Sequence, residues 1–159
     1  MDVASFDDIR DEFNKRVSRI VWCTVTTVDR KDRPRSRILH PMWEGTRGWI
    51  ATGRNTLKTK HLARNPHVAV SYWDPQQQQV YAECLASWED DPTEKRRIWE
   101  LFKSTPLPYG YDPGMIWQGG VEDPTFGVLK LEPQRIELSA LGDMMTGAQP
   151  RVWRSAGSK

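Results

Sequence analysis

The chain has 159 residues, 23 of them Lys or Arg and 21 Asp or Glu, for a formal net charge of +2. That length suits one domain with a real core, and the charge balance argues against a dedicated nucleic-acid binder. No apolar run approaches the roughly 20 residues that span a bilayer, and the acidic opening MDVASFDDIRDEF lacks an apolar signal segment, so a cytoplasmic protein with no membrane partner is expected.

Ser5 is placed to cap a first helix, in which Phe6, Ile9, Phe13 and Val17 recur at three- and four-residue steps. The β-branched run IVWCTVTTVD (20–29) predicts a strand, and RKDRP a turn. RSRILHPMWE (35–44) predicts a second strand, with Pro41 marking a bulge or an edge. EGTRG turns the chain into a third, WIATG (49–53). Gly53 and Asn55 then break the strand. Thr56 caps a short basic helix, LKTKHLARN, that stops at Asn65-Pro66. HVAVSYW and VYAECLASWED predict a fourth and fifth strand. Asp91-Pro92 opens a helix whose Ile98, Leu101 and Phe102 face inward, with Trp99 beside them. The Pro-, Gly- and aromatic-rich stretch from 105 to 124 predicts a structured surface loop. Phe126 to Leu131 forms a sixth strand and Arg135 to Ser139 a seventh.

Strands dominate and the turns between them are short. A mainly β fold follows: a small, Greek-key-like antiparallel barrel of six to seven strands with peripheral helices, closed because closure removes exposed edges. Residues 1–141 are expected as the domain, and 142–159 as a C-terminal tail. Cys23 and Cys84 lie in apolar runs without zinc spacing and read as reduced packing residues. His40, His61 and His67 have no metal-ligand spacing, so no metal site is expected. No Ser-His-Asp set or carboxylate pair stands out, and the catalytic residues stay unassigned.

The chemistry lies in the basic segments. Arg35 and Arg37 share one strand face because side chains alternate. If the second and third strands pair as a hairpin, Thr52 and the arginines flank the start of the basic helix, where Thr56 and Lys58 sit. A helix start offers free N–H donors and partial positive charge. Such a set reads either as a solvated charged face or as a phosphate-monoester site.

The ordered pieces Arg35 to His40, Ala51-Thr52, Thr56-Leu57-Lys58 and Asn65-Pro66 followed by Val68, Val70 and Tyr72 resemble the flavin-binding split barrels of the pyridoxamine 5'-phosphate oxidase-like superfamily. The resemblance covers roughly residues 5 to 140. It implies that Arg35 and Lys58 contact a cofactor phosphate, with Thr56 assisting. It also implies that the backbone of Ser36, Arg37, Ile38 and Leu39, together with Ala51 and Thr52, lines the ring and ribityl chain; His40 either faces the cofactor or is a strand histidine with an ordinary partner. The family's oxidases often carry Lys where this chain has His40, and Arg where it has Leu57. Both differences point away from pyridoxamine phosphate oxidation itself.

Members of the superfamily bind FMN or the deazaflavin coenzyme F-420, and both cofactors stay open for this chain. The implied function is an oxidoreductase that transfers hydride to or from a small organic substrate; the alternative is a non-catalytic flavin carrier or sensor. The resemblance further implies a homodimer with its sites at the subunit interface. Trp117, in the 105–124 loop, is the candidate to cover a ring-shaped ligand, against ordinary loop packing. PRVWR near the C-terminus is placed either over a neighbouring subunit's cofactor or in a free tail.

Overall fold

The computed structural model describes residues 1–157, which contain eight strands and four α-helices, besides three single-turn 3-10 helices. In chain order these are α1 (Arg10–Ile20), β1 (Cys23–Val28), β2 (Pro34–Leu39), β3 (Met42–Glu44), β4 (Arg47–Gly53), α2 (Leu57–Arg64), β5 (His67–Trp73), β6 (Gln78–Glu89), α3 (Pro92–Ser104), β7 (Phe126–Ala140), α4 (Leu141–Thr146) and β8 (Arg151–Arg154). All named strand pairs are antiparallel. The sheet runs β2-β1-β5-β6-β7-β4-β3, and β8 pairs with β7.

The first strand in that order is β2 and the last is β3, yet only His40 and Pro41 separate them in the chain. The two margins of the sheet are therefore halves of one bent strand, and the sheet must curl until they meet. This is the mainly β split barrel that the sequence predicts. The bend corrects one expectation. The second strand does not pair with the third along its whole length: Met42–Glu44 pairs with β4, whereas the arginine-bearing half pairs with β1, placing Arg35 opposite Thr27 and Arg37 opposite Val25. Pro41 brings no N–H to a ladder, so the pairing changes partner there.

Other boundaries also move. Ser5 and Asp8 form a capping box on a 3-10 turn, Phe6–Asp8, and the α-helix begins only at Arg10. The sixth and seventh strands are one strand of 15 residues, β7, whose register with β6 shifts between Glu83 and Cys84, beside Pro133. Residues expected as a tail hold α4 and β8. The β8 strand is fixed on both sides: it pairs with β7, and Val3 donates to the Val152 carbonyl at 2.9 Å.

Apolar side chains form two clusters. One fills the barrel: Val25, Ile50, Val70, Val80, Leu129 and Ile136, closed at one side by Phe6, Ile9, Phe13 and Val17 of the N-terminal helical segment. The other lies on the opposite face of β4 and β7, where Ile98, Trp99 and Phe102 of α3 cover Trp49, Ala51, Phe126 and Val128. Alternation along β4 sends Ile50 to one cluster and Trp49 and Ala51 to the other. A strand covered on both faces is buried continuously, as β4 is from Gly48 to Thr52. Each fully buried large side chain here contributes about 1.5–3 kcal/mol.

Candidate functional site

The short helix α2 explains the site. Residues three and four apart share a helix face, so Lys58, His61 and Leu62 form one stripe. Leu62 is buried in the barrel cluster. The same face sets the His61 Nδ1 atom 2.9 Å from the Thr27 hydroxyl and turns Lys58 inward, where it is only 7% exposed. Arg64 ties the far end of α2 to the β1–β2 turn, donating to the Asp29 carbonyl at 2.9 Å and pairing with Asp32 at 2.8 Å.

Between α2 and the β1–β2 hairpin lies a cleft of about 930 Å³. Its inner wall carries Arg37, Thr56 and Lys58. Arg37 donates to the Val25 carbonyl at 3.2 Å and to the Thr27 hydroxyl at 2.9 Å. Lys58 Nζ donates to the Thr56 hydroxyl at 2.8 Å. Among the described residues, neither Arg37 nor Lys58 forms an ion pair with a carboxylate. Burial, and then repulsion from Arg37, holds the Lys58 ammonium below its usual pKa, and burial lowers Arg37 as well.

At the mouth, Asp29 faces two arginines. Its carboxylate pairs with Arg33 at 2.9 Å and Arg35 at 3.0 Å, and accepts from the Lys31 and Arg33 backbone N–H groups at 2.8 and 3.1 Å. Burial works against its charge, but these hydrogen bonds win and hold the carboxyl well below its ordinary range. Arg30, Lys31 and Lys60 complete the rim.

Of the residues singled out in the sequence, Arg35, Arg37, Thr56 and Lys58 converge on this cleft. Ser36 and Ile38 alternate onto the outer face of the sheet, where Ile38 lies opposite Thr24. Leu39, opposite Cys23, packs against the barrel cluster. Ala51 and Thr52 are buried in β4, opposite Val128 and Gly127, and do not line the cleft. After β4 the chain returns to the cleft only at Thr56, because β4 pairs with β3 and β7 rather than with β2.

His40 occupies a different environment. It is enclosed by Trp22, Phe102, Tyr109 and Tyr111, with ring centroids 5.1 to 6.1 Å away. Its Nε2 lies 2.7 Å from the Tyr109 carbonyl. A carbonyl only accepts, so Nε2 carries the proton. Burial lowers the His40 pKa against the opposing pull of that bond. Trp117 is buried at 5.0 Å from Phe126 in the second cluster, so loop packing, not cover for a ligand, is its role. Trp153 packs at 5.5 Å on Phe6 of its own chain.

Of the rim, Asp29, Arg30, Lys31 and Arg33 were missed in the sequence. DRKDRP announces a turn, and its density of Arg and Lys was the available signal. Where those side chains project depends on α2 docking over β1, which is a long-range contact.

The chain matches the family model described as pyridoxamine 5'-phosphate oxidase over residues 9–140. It belongs to the pyridoxamine 5'-phosphate oxidase family. No curated protein matches it. Solved structures agree with the family fold. One is a Clostridium acetobutylicum protein related to general stress protein 26 of B. subtilis, of the pyridoxinephosphate oxidase family. It is 13% identical, with a TM-score of 0.75 over 96% of this chain and 99% of that one. General stress protein 26 from Bacillus anthracis is 25% identical, with a TM-score of 0.58 over 80% and 93%. A pyridoxamine 5'-phosphate oxidase-related, FMN binding protein from Nostoc punctiforme is 17% identical, with a TM-score of 0.61 over 88% and 86%. Among the described residues of this family member, no helix is long and apolar enough to cross a membrane.

Proposed function

We propose that this chain is an oxidoreductase that holds the phosphate of a flavin-type cofactor, FMN or coenzyme F-420, between Arg37 and Lys58, and that it works as a homodimer on a small organic substrate. One observation carries the reading: the buried Lys58 ammonium has a hydroxyl for a partner and a guanidinium for a neighbour. A buried cation is costly unless an anion joins it. A phosphate monoester brings a charge of about −1.5 to −2 and three acceptor oxygens, which matches Arg37, Lys58 and the Thr56 hydroxyl. Arg35 reaches the same group from the rim if it exchanges Asp29 for phosphate. A structural neighbour described as FMN binding supports the flavin type.

Bound there, the flavin or deazaflavin ring supplies the hydride donor and acceptor. The protein binds, orients and shields it. The β2 backbone from Ser36 to Leu39 runs on from Arg37 and is the bed for the ring. Ala51 and Thr52 contribute only through the β4 backbone that delivers Thr56. The outer sheet face leaves Ile38 61% and Trp73 57% exposed. Soluble monomers seldom leave large apolar patches uncovered, and a second copy covering this face would also enclose the ring.

Titration of the protein with FMN and with F-420, followed by tryptophan fluorescence, tests the reading. Saturable binding of at least one cofactor is expected, weakened at least about tenfold by Lys58→Ala. Binding of neither, or binding that ignores Lys58→Ala, overturns it. Turnover separates enzyme from carrier: a carrier keeps its reduced cofactor in the presence of small conjugated acceptors, and an enzyme spends it on one of them.

A further inference from the structure

Strand alternation sends Cys23, Val25 and Thr27 of β1 to the same face. The first two are buried in the barrel cluster, and Thr27 follows them at 1% exposure. A valine has the same shape and would fill that position with no hydroxyl to satisfy. A buried hydroxyl is costly unless it is hydrogen-bonded, so its partners matter.

The Thr27 Oγ1 atom has two, on two different elements. The Arg37 Nη2 atom of β2 lies 2.9 Å away, and so does the His61 Nδ1 atom of α2. A guanidinium only donates, so Oγ1 accepts from Arg37. The hydroxyl has a single proton of its own, and among the described residues no other acceptor takes it. Buried polar groups stay bonded, so that proton goes to Nδ1, and the His61 ring carries its own proton on Nε2. The bonds run in one direction, from Arg37 through Thr27 to His61.

Arg37 also donates to the Val25 carbonyl at 3.2 Å. Both bonds hold the guanidinium from the barrel side and leave its remaining N–H groups for a ligand. Lys58 lies one turn before His61 on the same face of α2. One short helix therefore presents the ammonium itself and sets the guanidinium through Thr27. Two cations on separate elements grip one phosphate only if their spacing is held, to within about 0.5 Å. A side chain already ordered on folding also loses less freedom on binding.

We infer that Thr27 and His61 are positioning residues: they hold the Arg37 guanidinium in register with Lys58 for the cofactor phosphate, with His61 as the acceptor at the end of the chain. The inference rests on the phosphate site proposed above and deepens it.

The test has two arms. In the first, the full-length protein carrying isotope-labelled histidine is studied by nitrogen NMR, and His61→Leu identifies the His61 signals. A bare Nδ1 and a protonated Nε2 are expected at neutral pH; a proton on Nδ1 overturns the inference. This arm needs neither cofactor nor a folded Thr27 variant. In the second, FMN and F-420 are titrated by tryptophan fluorescence into the wild type, Thr27→Val, Thr27→Ser, Lys58→Ala, Arg37→Met and the double variant Thr27→Val/Arg37→Met. Thr27→Val is expected to weaken binding about threefold to tenfold, the worth of one hydrogen bond, and Thr27→Ser to stay within about twofold of wild type. Added to Arg37→Met, Thr27→Val should cost less than about a further twofold, because its effect passes through the missing guanidinium. Affinity that ignores Thr27→Val but still depends on Lys58 overturns the positioning role and keeps the phosphate site. An equal loss with and without Arg37 overturns it too, since Thr27 then only pins α2 to the barrel. So does a Thr27→Ser variant as weak as Thr27→Val, because the methyl group rather than the hydroxyl then matters. Loss of the Lys58 dependence overturns both readings.

Discussion

Lys58 is charged at the expense of the fold. Its pKa is depressed by burial and by Arg37, so at neutral pH the folded chain holds that proton less firmly than the unfolded chain does. The penalty is present below the folded pKa and fades as pH rises through it. Removing the charge should therefore help the empty protein: Lys58→Met is expected to raise the melting temperature by about 2–4 °C, the equivalent of roughly 1 kcal/mol at this size, while abolishing cofactor binding. Calorimetry of the apo-proteins checks it, and a lower melting point for the variant refutes it. The same sign governs affinity. Cofactor binding should weaken as pH rises through the depressed Lys58 value, earlier than an ordinary lysine allows, and titrations between about pH 7 and 10 would reveal it. Arg35, Arg37, Thr56 and Lys58 were legible in the sequence because strand alternation and a helix cap place them locally. Thr52 was placed beside the arginines because β4 was expected to pair with them, which depends on distant strands; Asp29 was overlooked although its partners Lys31, Arg33 and Arg35 lie within six residues of it.

At the scale of elements, local signals carried far. Asp91 caps α3 by accepting from the Glu94 amide at 2.8 Å, with Pro92 opening the helix, as the sequence suggested. The bent strand at His40-Pro41 was only half readable. A proline announces that a ladder is interrupted, but it does not say which strand takes over. Trp43, just past the bend, fills the barrel with its Nε1 bonded to the Tyr72 hydroxyl at 2.9 Å. Its ring lies flat against Gly48, its partner on β4. A Cβ on Gly48 would meet that ring at 2.9 Å, and the ring is held by its bond to Tyr72. Gly48→Ala is expected to cost about 1–3 kcal/mol by overpacking, read as a lower urea midpoint with an unchanged slope. A neutral result would mean that β3 can slide away from β4.

For the whole molecule, the barrel was readable because many short strands with tight turns leave few other ways to hide their edges. The eighth strand was not: RVWR is too short to announce itself, and it exists because β7 offers a free margin for it. The proposed pairing of two copies makes a direct prediction. Trp73 lies on the outer face, in line with Ser71, which faces Tyr81 across the ladder. Trp73→Glu is expected to turn a dimer into a monomer in sedimentation at micromolar concentration, with the far-ultraviolet spectrum preserved, and a wild-type protein that sediments as a monomer refutes the pairing.

The division of the apolar side chains into two clusters has one more consequence. The strands β5 and β6 are stitched into the middle of the sheet, whereas α3 and residues 105–123 lie outside it, held by a cluster of their own. The outer layer can peel away without opening the barrel, so the native protein should exchange its amide hydrogens in two groups. Those of α3 are expected to escape through a partial opening that scarcely responds to denaturant. Those of Val70, Val80 and Ala82 should be released only when the entire chain unravels.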